Sequence, residues 1–202
     1  MTLSEVVMQQ KVFEGLRKEL AQTPVGSYAP YYFRYLGYRE NLSAEISELR
    51  ANGIYSLFTS PVPVILKNEY FAGNKKSLFC EEDALVLNYA KRTADHVPQR
   101  SFGTNADHYA PNYDHILSVG VGGLIHKIDA SMEAHQKSPE RVAFLRAMKK
   151  TLLGFQGMIE NYIAEAEKLK GDPSYDKDRL QFITENCRAI VSAAPKSFAQ
   201  AL

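Results

Sequence analysis

A helical run of apolar residues that contains three glycines constrains the fold of this chain most strongly. Between residues 113 and 132, apolar side chains recur at three- and four-residue steps, which predicts an amphipathic helix. Gly120, Gly122 and Gly123 lie inside this run, and each glycine costs a helix about 1 kcal/mol relative to alanine. We expect the close approach of another backbone to offset that cost.

A phosphate-binding glycine loop is the functional alternative for these three glycines. Such a loop requires a strand, then a turn, then a helix. That order is absent here, because the residues before Gly120 already follow the helical pattern. Packing against another backbone is therefore the favoured interpretation.

The segments on both sides of this run also have helical patterns. The last two predicted helices are joined by the turn residues 171–174, which predicts an antiparallel helix hairpin. Apolar side chains, including Cys187, are expected to face inward from that hairpin. The predicted helices cover residues 3–21, 41–58, 82–95, 139–169 and 176–191, and a short apolar stretch follows Pro195.

Local signals predict where several helices begin or end. Ser43 is a candidate N-cap for the second helix, and Asn52-Gly53 is expected to weaken that helix or end it early. Pro111 suits the first turn of the glycine-containing helix, and Ser138-Pro139 predicts the start of the longest helix.

Two further segments have other patterns. Residues 28–38 are rich in tyrosine, and we interpret them as an aromatic packing segment in a helix or turn. A ligand-facing aromatic wall is the functional alternative, but no spacing supports it. Residues 62–80 contain prolines, β-branched residues and a turn, which allow at most a short β-hairpin. The sequence as a whole predicts a mainly α fold, and its length fits one domain or one large piece of a bigger domain over residues 1–202.

Composition and charge argue against several classes of function. The formal net charge is +1, with basic residues scattered along the chain, so neither a nucleic-acid surface nor an anionic membrane surface is predicted. No apolar run reaches the roughly 20 residues that span a bilayer. The two cysteines, Cys80 and Cys187, fit a reducing compartment. We therefore expect a cytoplasmic protein.

The search for catalytic motifs finds no self-sufficient active site. The spacing of the five histidines does not match a zinc motif, and no metal site is predicted. Nucleophile motifs are absent, Cys187 is expected to be a buried thiol, and Cys80 has acidic neighbours. His108, which lies between Asp107 and Tyr109, is the histidine singled out for a functional role. Its structural alternative is a surface or capping residue in a loop.

Four segments of the chain resemble the N-terminal part of the pyruvate formate-lyase-like glycyl radical enzymes. The resemblance rests on their order and spacing together, and it covers most of residues 45–202. The four segments are Pro63-Val64-Ile65 with Asn68-Glu69-Tyr70-Phe71-Ala72-Gly73-Asn74; His108-Tyr109-Ala110-Pro111-Asn112-Tyr113; Gly120-Val121-Gly122-Gly123-Leu124-Ile125; and a long helix from Arg141 followed by Asn186-Cys187-Arg188 and Pro195 to Leu202.

The resemblance implies the helical flank of a ten-stranded α/β barrel. In that family a thiyl radical on a cysteine in a Gly-Cys motif cleaves C–C, C–O or C–N bonds of the substrate. The radical originates on a glycine in an Arg-Val-x-Gly-Tyr-like motif, where an activating enzyme with an iron–sulfur cluster and S-adenosylmethionine installs it. The resemblance also implies that His108 lines the substrate pocket, as the matching histidine does in diol-dehydratase-like members.

The sequence departs from the family pattern in the residues that carry the chemistry. It contains neither a Gly-Cys pair nor an Arg-Val-x-Gly-Tyr motif, and Asp107 and Asn112 stand where diol-dehydratase-like members have glycine and aspartate. We therefore expect an N-terminal fragment of an anaerobic glycyl radical lyase that is inactive alone and binds no cofactor itself. Its expected partners are the missing C-terminal part, further copies of itself and the activating enzyme. A non-catalytic helical scaffold is the alternative.

Overall fold

The described part of the chain is helical apart from its connecting segments. The computed structural model describes residues 3–23, 29–73, 88 and 112–201, excluding the side chains of residues 3–9. The helices in these ranges are α1 (Leu3–Gln22), α2 (Ala29–Tyr38), α3 (Ile46–Thr59), α4 (Tyr113–Ala134), α5 (Pro139–Leu169), α6 (Lys177–Ile190) and α7 (Phe198–Ala201). The mainly α prediction is confirmed.

The main core forms where α5 and α6 pack against each other as the predicted hairpin. Asp176 caps α6 by accepting hydrogen bonds from the amides of Asp178 and Arg179 at 3.0 and 3.2 Å. This cap ends the turn after α5 and starts the return helix. The buried core residues are Ile159, Tyr162 and Ala166 of α5, Leu180, Ile183 and Cys187 of α6, and Ile65 from the segment after α3.

Helices α2 and α3 approach each other closely through two glycines. A Cβ atom on Gly37 would lie 2.1 Å from the carbonyl oxygen of Asn52, and one on Gly53 would lie 2.2 Å from the ring of Tyr38. The expectation that Asn52-Gly53 ends the helix early is wrong, since α3 continues to Thr59. The glycine is tolerated because its missing side chain makes room for the neighbouring helix.

The boundary of α3 also differs from the prediction. The helix begins at Ile46, and its N-cap position is Glu45, whose side chain makes no capping hydrogen bond. Ser43 instead donates a hydrogen bond of 2.9 Å to the side-chain oxygen of Asn41. Ser43 is thus part of the turn before the helix and does not cap it. Ser138 precedes α5 as predicted, but it too makes no side-chain cap.

The tyrosine-rich segment forms α2, and its packing interpretation is confirmed. Phe33, Tyr35 and Tyr38 are buried. Burial is the largest influence on the Tyr38 hydroxyl and raises its pKa, while the charges of Arg34 and Arg50 act in the opposite direction. The segment therefore packs against α3 through its rings.

The remaining sequence predictions are partly outside the described residues. Residues 61–73 form an irregular segment without a strand, so the described part of the predicted β-hairpin is not sheet, and residues 74–80 are outside. The predicted helix over 82–95 is described only at Asn88, and Pro111 is also outside. In the described helices, no segment is long and apolar enough to cross a membrane.

Candidate functional site

The glycine-containing helix α4 is bent at Gly120. This residue has φ 66° and ψ 177°, which is a backbone conformation almost confined to glycine. The predicted single helix is therefore two helical segments, residues 113–119 and 121–134, which meet at the bend. Sequence periodicity could not reveal the bend, because the apolar spacing continues across it.

The bend packs directly against the chain that follows α6. A Cβ atom on Gly120 would lie 2.5 Å from the backbone of Ala193, and one on Gly122 would lie 2.3 Å from the carbonyl oxygen of Ser192. The amide of Gly122 donates a 2.9 Å hydrogen bond to that same oxygen. The prediction that close backbone approach offsets the glycines is confirmed at these two positions. Gly123 differs, because a Cβ there would meet Val119 of its own helix.

Helix α5 forms hydrogen bonds with the segment after α6, against which the bend in α4 packs. The side-chain amide of Gln156 donates hydrogen bonds to the carbonyl oxygen of Val191 at 2.7 Å and to the hydroxyl of Ser192 at 3.2 Å. One residue of α5 thus fixes the backbone on which Gly120 and Gly122 rest. Helix α4, the end of α6 and the middle of α5 are joined at this point.

A pair of side chains spans the bend. The Nζ atom of Lys127 lies 3.1 Å from Nε2 of His115, although the residues are 12 positions apart. Twelve residues of straight helix would separate them by about 18 Å, so the contact requires the bend at Gly120. A lysine ammonium group has donors and no acceptor, so Lys127 is the donor in this contact.

The first segment of α4 is well defined but mostly exposed. Asn112 caps it by accepting a 3.1 Å hydrogen bond from the amide of His115. Tyr113, Ile116 and Leu117 are all exposed. Their spacing places them on one side of the helical segment. This segment directly follows the part of the sequence that contains His108.

The irregular segment 61–73, which carries the first motif of the resemblance, is tied to α1. Glu19 accepts hydrogen bonds from the amides of Lys67 and Asn68 at 2.6 and 2.9 Å, and from the side chain of Asn68 at 3.0 Å. The carboxylate of Glu69 is buried and accepts a 2.8 Å bond from the amide of Leu66. Both carboxylates thus accept hydrogen bonds from backbone amides of this segment.

The hairpin formed by α5 and α6 holds the other side of this segment. The hydroxyl of Tyr175 donates a 3.1 Å hydrogen bond to the carbonyl oxygen of Ile65, and burial is the main cause of the raised pKa of that hydroxyl. Arg179 donates a 2.7 Å bond to the carbonyl oxygen of Lys67, and its guanidinium lies 4.5 Å from the ring centre of Tyr70. The motif region is therefore a structural joint between α1 and the hairpin.

Two apolar cavities flank residues 70–73. The larger, of about 780 Å³, lies between α1 and this segment, with Phe13, Leu16 and Phe182 in its wall. The smaller, of about 260 Å³, lies over the hairpin and reaches Cys187. Their walls are mostly apolar, with Asn68 and Glu69 in the wall of the larger cavity and Asn186 and Gln200 in that of the smaller.

The thiol of Cys187 is a structural core group, as the sequence suggests. The residue is buried within the hairpin, and burial raises the pKa of its thiol to about 11. A reactive cysteine needs an electropositive, partly open setting that lowers its pKa. Cys187 therefore has the opposite character to a nucleophile.

The described histidines do not form a metal or catalytic centre. His115 contacts Lys127, and Nδ1 of His135 lies 2.8 Å from the carbonyl oxygen of Ser131 in its own helix. Among the residues in the described ranges, no group of three His, Cys, Asp or Glu side chains could hold a metal ion. His108, the candidate substrate contact, lies outside these ranges.

Comparison with solved structures relates this helical arrangement to two dehydration enzymes. The glycerol-bound B12-independent glycerol dehydratase from Clostridium butyricum superposes with a TM-score of 0.75 at 14% sequence identity, over 95% of this chain and 32% of that chain. A structure described for 1,2-propanediol dehydration in Roseburia inulinivorans superposes with a TM-score of 0.73 at 11% sequence identity. The superposition covers 95% of this chain and 30% of that chain. This chain therefore spans about a third of the length of these relatives.

The family model for pyruvate formate lyase-like proteins matches residues 65–202, which is more than half of the chain. The chain belongs to the pyruvate formate lyase-like family, and its described helices form part of the glycyl radical enzyme fold. No curated protein sequence matches this chain.

Proposed function

We propose that residues 1–202 form one partial domain that supplies the N-terminal helical flank of a glycyl radical lyase. The likeness to a dehydratase over 95% of this chain and 32% of that chain carries this proposal. The hydrogen bonds from Gly122 to Ser192 and from Asn68 to Glu19 hold the helices in a fixed arrangement. A barrel can pack against such an arrangement. In this role the chain shapes and closes the site, while the radical chemistry is carried by residues elsewhere in the enzyme.

The chain has no activity of its own in this proposal, because both radical motifs are absent from its sequence. A glycyl radical enzyme needs the radical glycine and the cysteine in the same dry interior, where a thiyl radical removes a hydrogen atom from the substrate. The buried Cys187 cannot replace that cysteine, since its surroundings are helix core. Activity therefore requires a polypeptide region with both motifs and an activating enzyme with S-adenosylmethionine, under anaerobic conditions in the cytoplasm.

Within the assembled enzyme, His108 is the proposed substrate contact of this chain. The residue comes four positions before Asn112, which caps the exposed first segment of α4. Glycerol and 1,2-propanediol are the first substrates to test, because the two structural relatives are named for their binding and dehydration. Replacing His108 by Asn should raise KM or lower kcat while leaving the helix content of the chain unchanged.

The coding DNA after codon 202 and in the adjacent genes tests this proposal. A Gly-Cys motif and an Arg-Val-x-Gly-Tyr motif, in the same frame or in a neighbouring gene, are the expected result. Anaerobic co-expression of that region with this chain and the activating enzyme should then yield dehydratase or lyase activity. Absence of both motifs, together with a compact monomer by light scattering, would instead favour a non-catalytic helical scaffold.

A further inference from the structure

We draw no further inference here: the strongest candidate, the apolar cavity of about 780 Å³ between α1 and residues 68–73, carries none, because nothing in the described part of the chain shows what covers it.

Discussion

The amide nitrogen of Gly122 lies 2.9 Å from the carbonyl oxygen of Ser192, and this hydrogen bond joins α4 to the segment after α6. A side chain at position 122 would collide with the acceptor itself, because its Cβ would lie 2.3 Å from that oxygen. The backbone contact and the glycine therefore depend on each other. The bend at Gly120, two residues earlier, packs against Ala193, the residue after Ser192.

Replacing Gly120 by Ala should destabilise the chain by about 2–4 kcal/mol, since alanine resists this backbone conformation and its Cβ would collide with Ala193. Urea unfolding followed by circular dichroism measures the change. Gly171→Ala is the matched control, because a Cβ there would be in ordinary contact at 3.5 Å. That control should differ from the parent by less than about 1 kcal/mol. Equal stability of both variants would show that the bend contact is not tight.

Glu19→Ala should loosen α1 from the rest of the molecule, because it removes the acceptors for two backbone amides and the Asn68 side chain. The expected local loss is about 1–2 kcal/mol for charge-assisted bonds at a partly exposed site. Hydrogen exchange should then accelerate in α1, with little change in α5 and α6. Glu14→Ala, on the exposed side of the same helix, is the control. Similar exchange rates in the two variants would contradict the proposal that Glu19 holds α1 to Lys67 and Asn68.

Lys150→Met should cost more stability than Lys149→Met. Lys150 donates a 2.6 Å hydrogen bond to the buried Asn52 side chain, and its loss leaves that oxygen without this donor, at about 1–2 kcal/mol. Lys149 forms a 2.7 Å ion pair with the partly exposed Asp129, and such pairs contribute at most about 1 kcal/mol. Thermal unfolding of both variants measures the difference. The reverse order would refute the internal role of Lys150.

Cys187 should make the chain less stable as the pH rises from about 9 to about 11. Burial raises the pKa of its thiol to about 11, so the unfolded chain loses the proton first and gains stability relative to the folded chain over this range. The contribution of the protonated thiol to the free energy of unfolding is fully present below pH 9. It is lost as the pH rises through the folded-state pKa of about 11. A Cys187→Ala variant, compared with the parent by urea unfolding at each pH, isolates the effect. Parallel pH dependence in both chains would contradict the burial of the thiol.

The long helices were predictable because their stabilising contacts repeat along the sequence. The pattern of α5 and the turn at residues 171–174 indicated the hairpin, and the clustered glycines indicated close backbone approach. The bend at Gly120 was not predictable, since it depends on where Ala193 lies, 73 positions later in the sequence. The Ser43 prediction failed for a similar reason, because the turn offered its hydroxyl a partner in Asn41.

The site itself was predictable only in outline. Motif order pointed to the glycyl radical fold, and the family match and the superposition confirm that family. The hydrogen bond from Asn68 to Glu19 and the contact of His115 with Lys127 join residues with no local sequence signal. Such contacts arise from tertiary packing, and no local pattern in the sequence indicates them. The role of His108 stays a prediction.

Electron paramagnetic resonance after anaerobic activation tests the central claim most directly. The parent chain is incubated with S-adenosylmethionine and the reduced activating enzyme, either alone or co-expressed with the motif-bearing region. The expected result is a glycyl radical signal in the co-expressed sample and no signal from the chain alone. A glycyl radical signal from the isolated chain, or no signal from an assembled sample that binds the activating enzyme, would contradict the account.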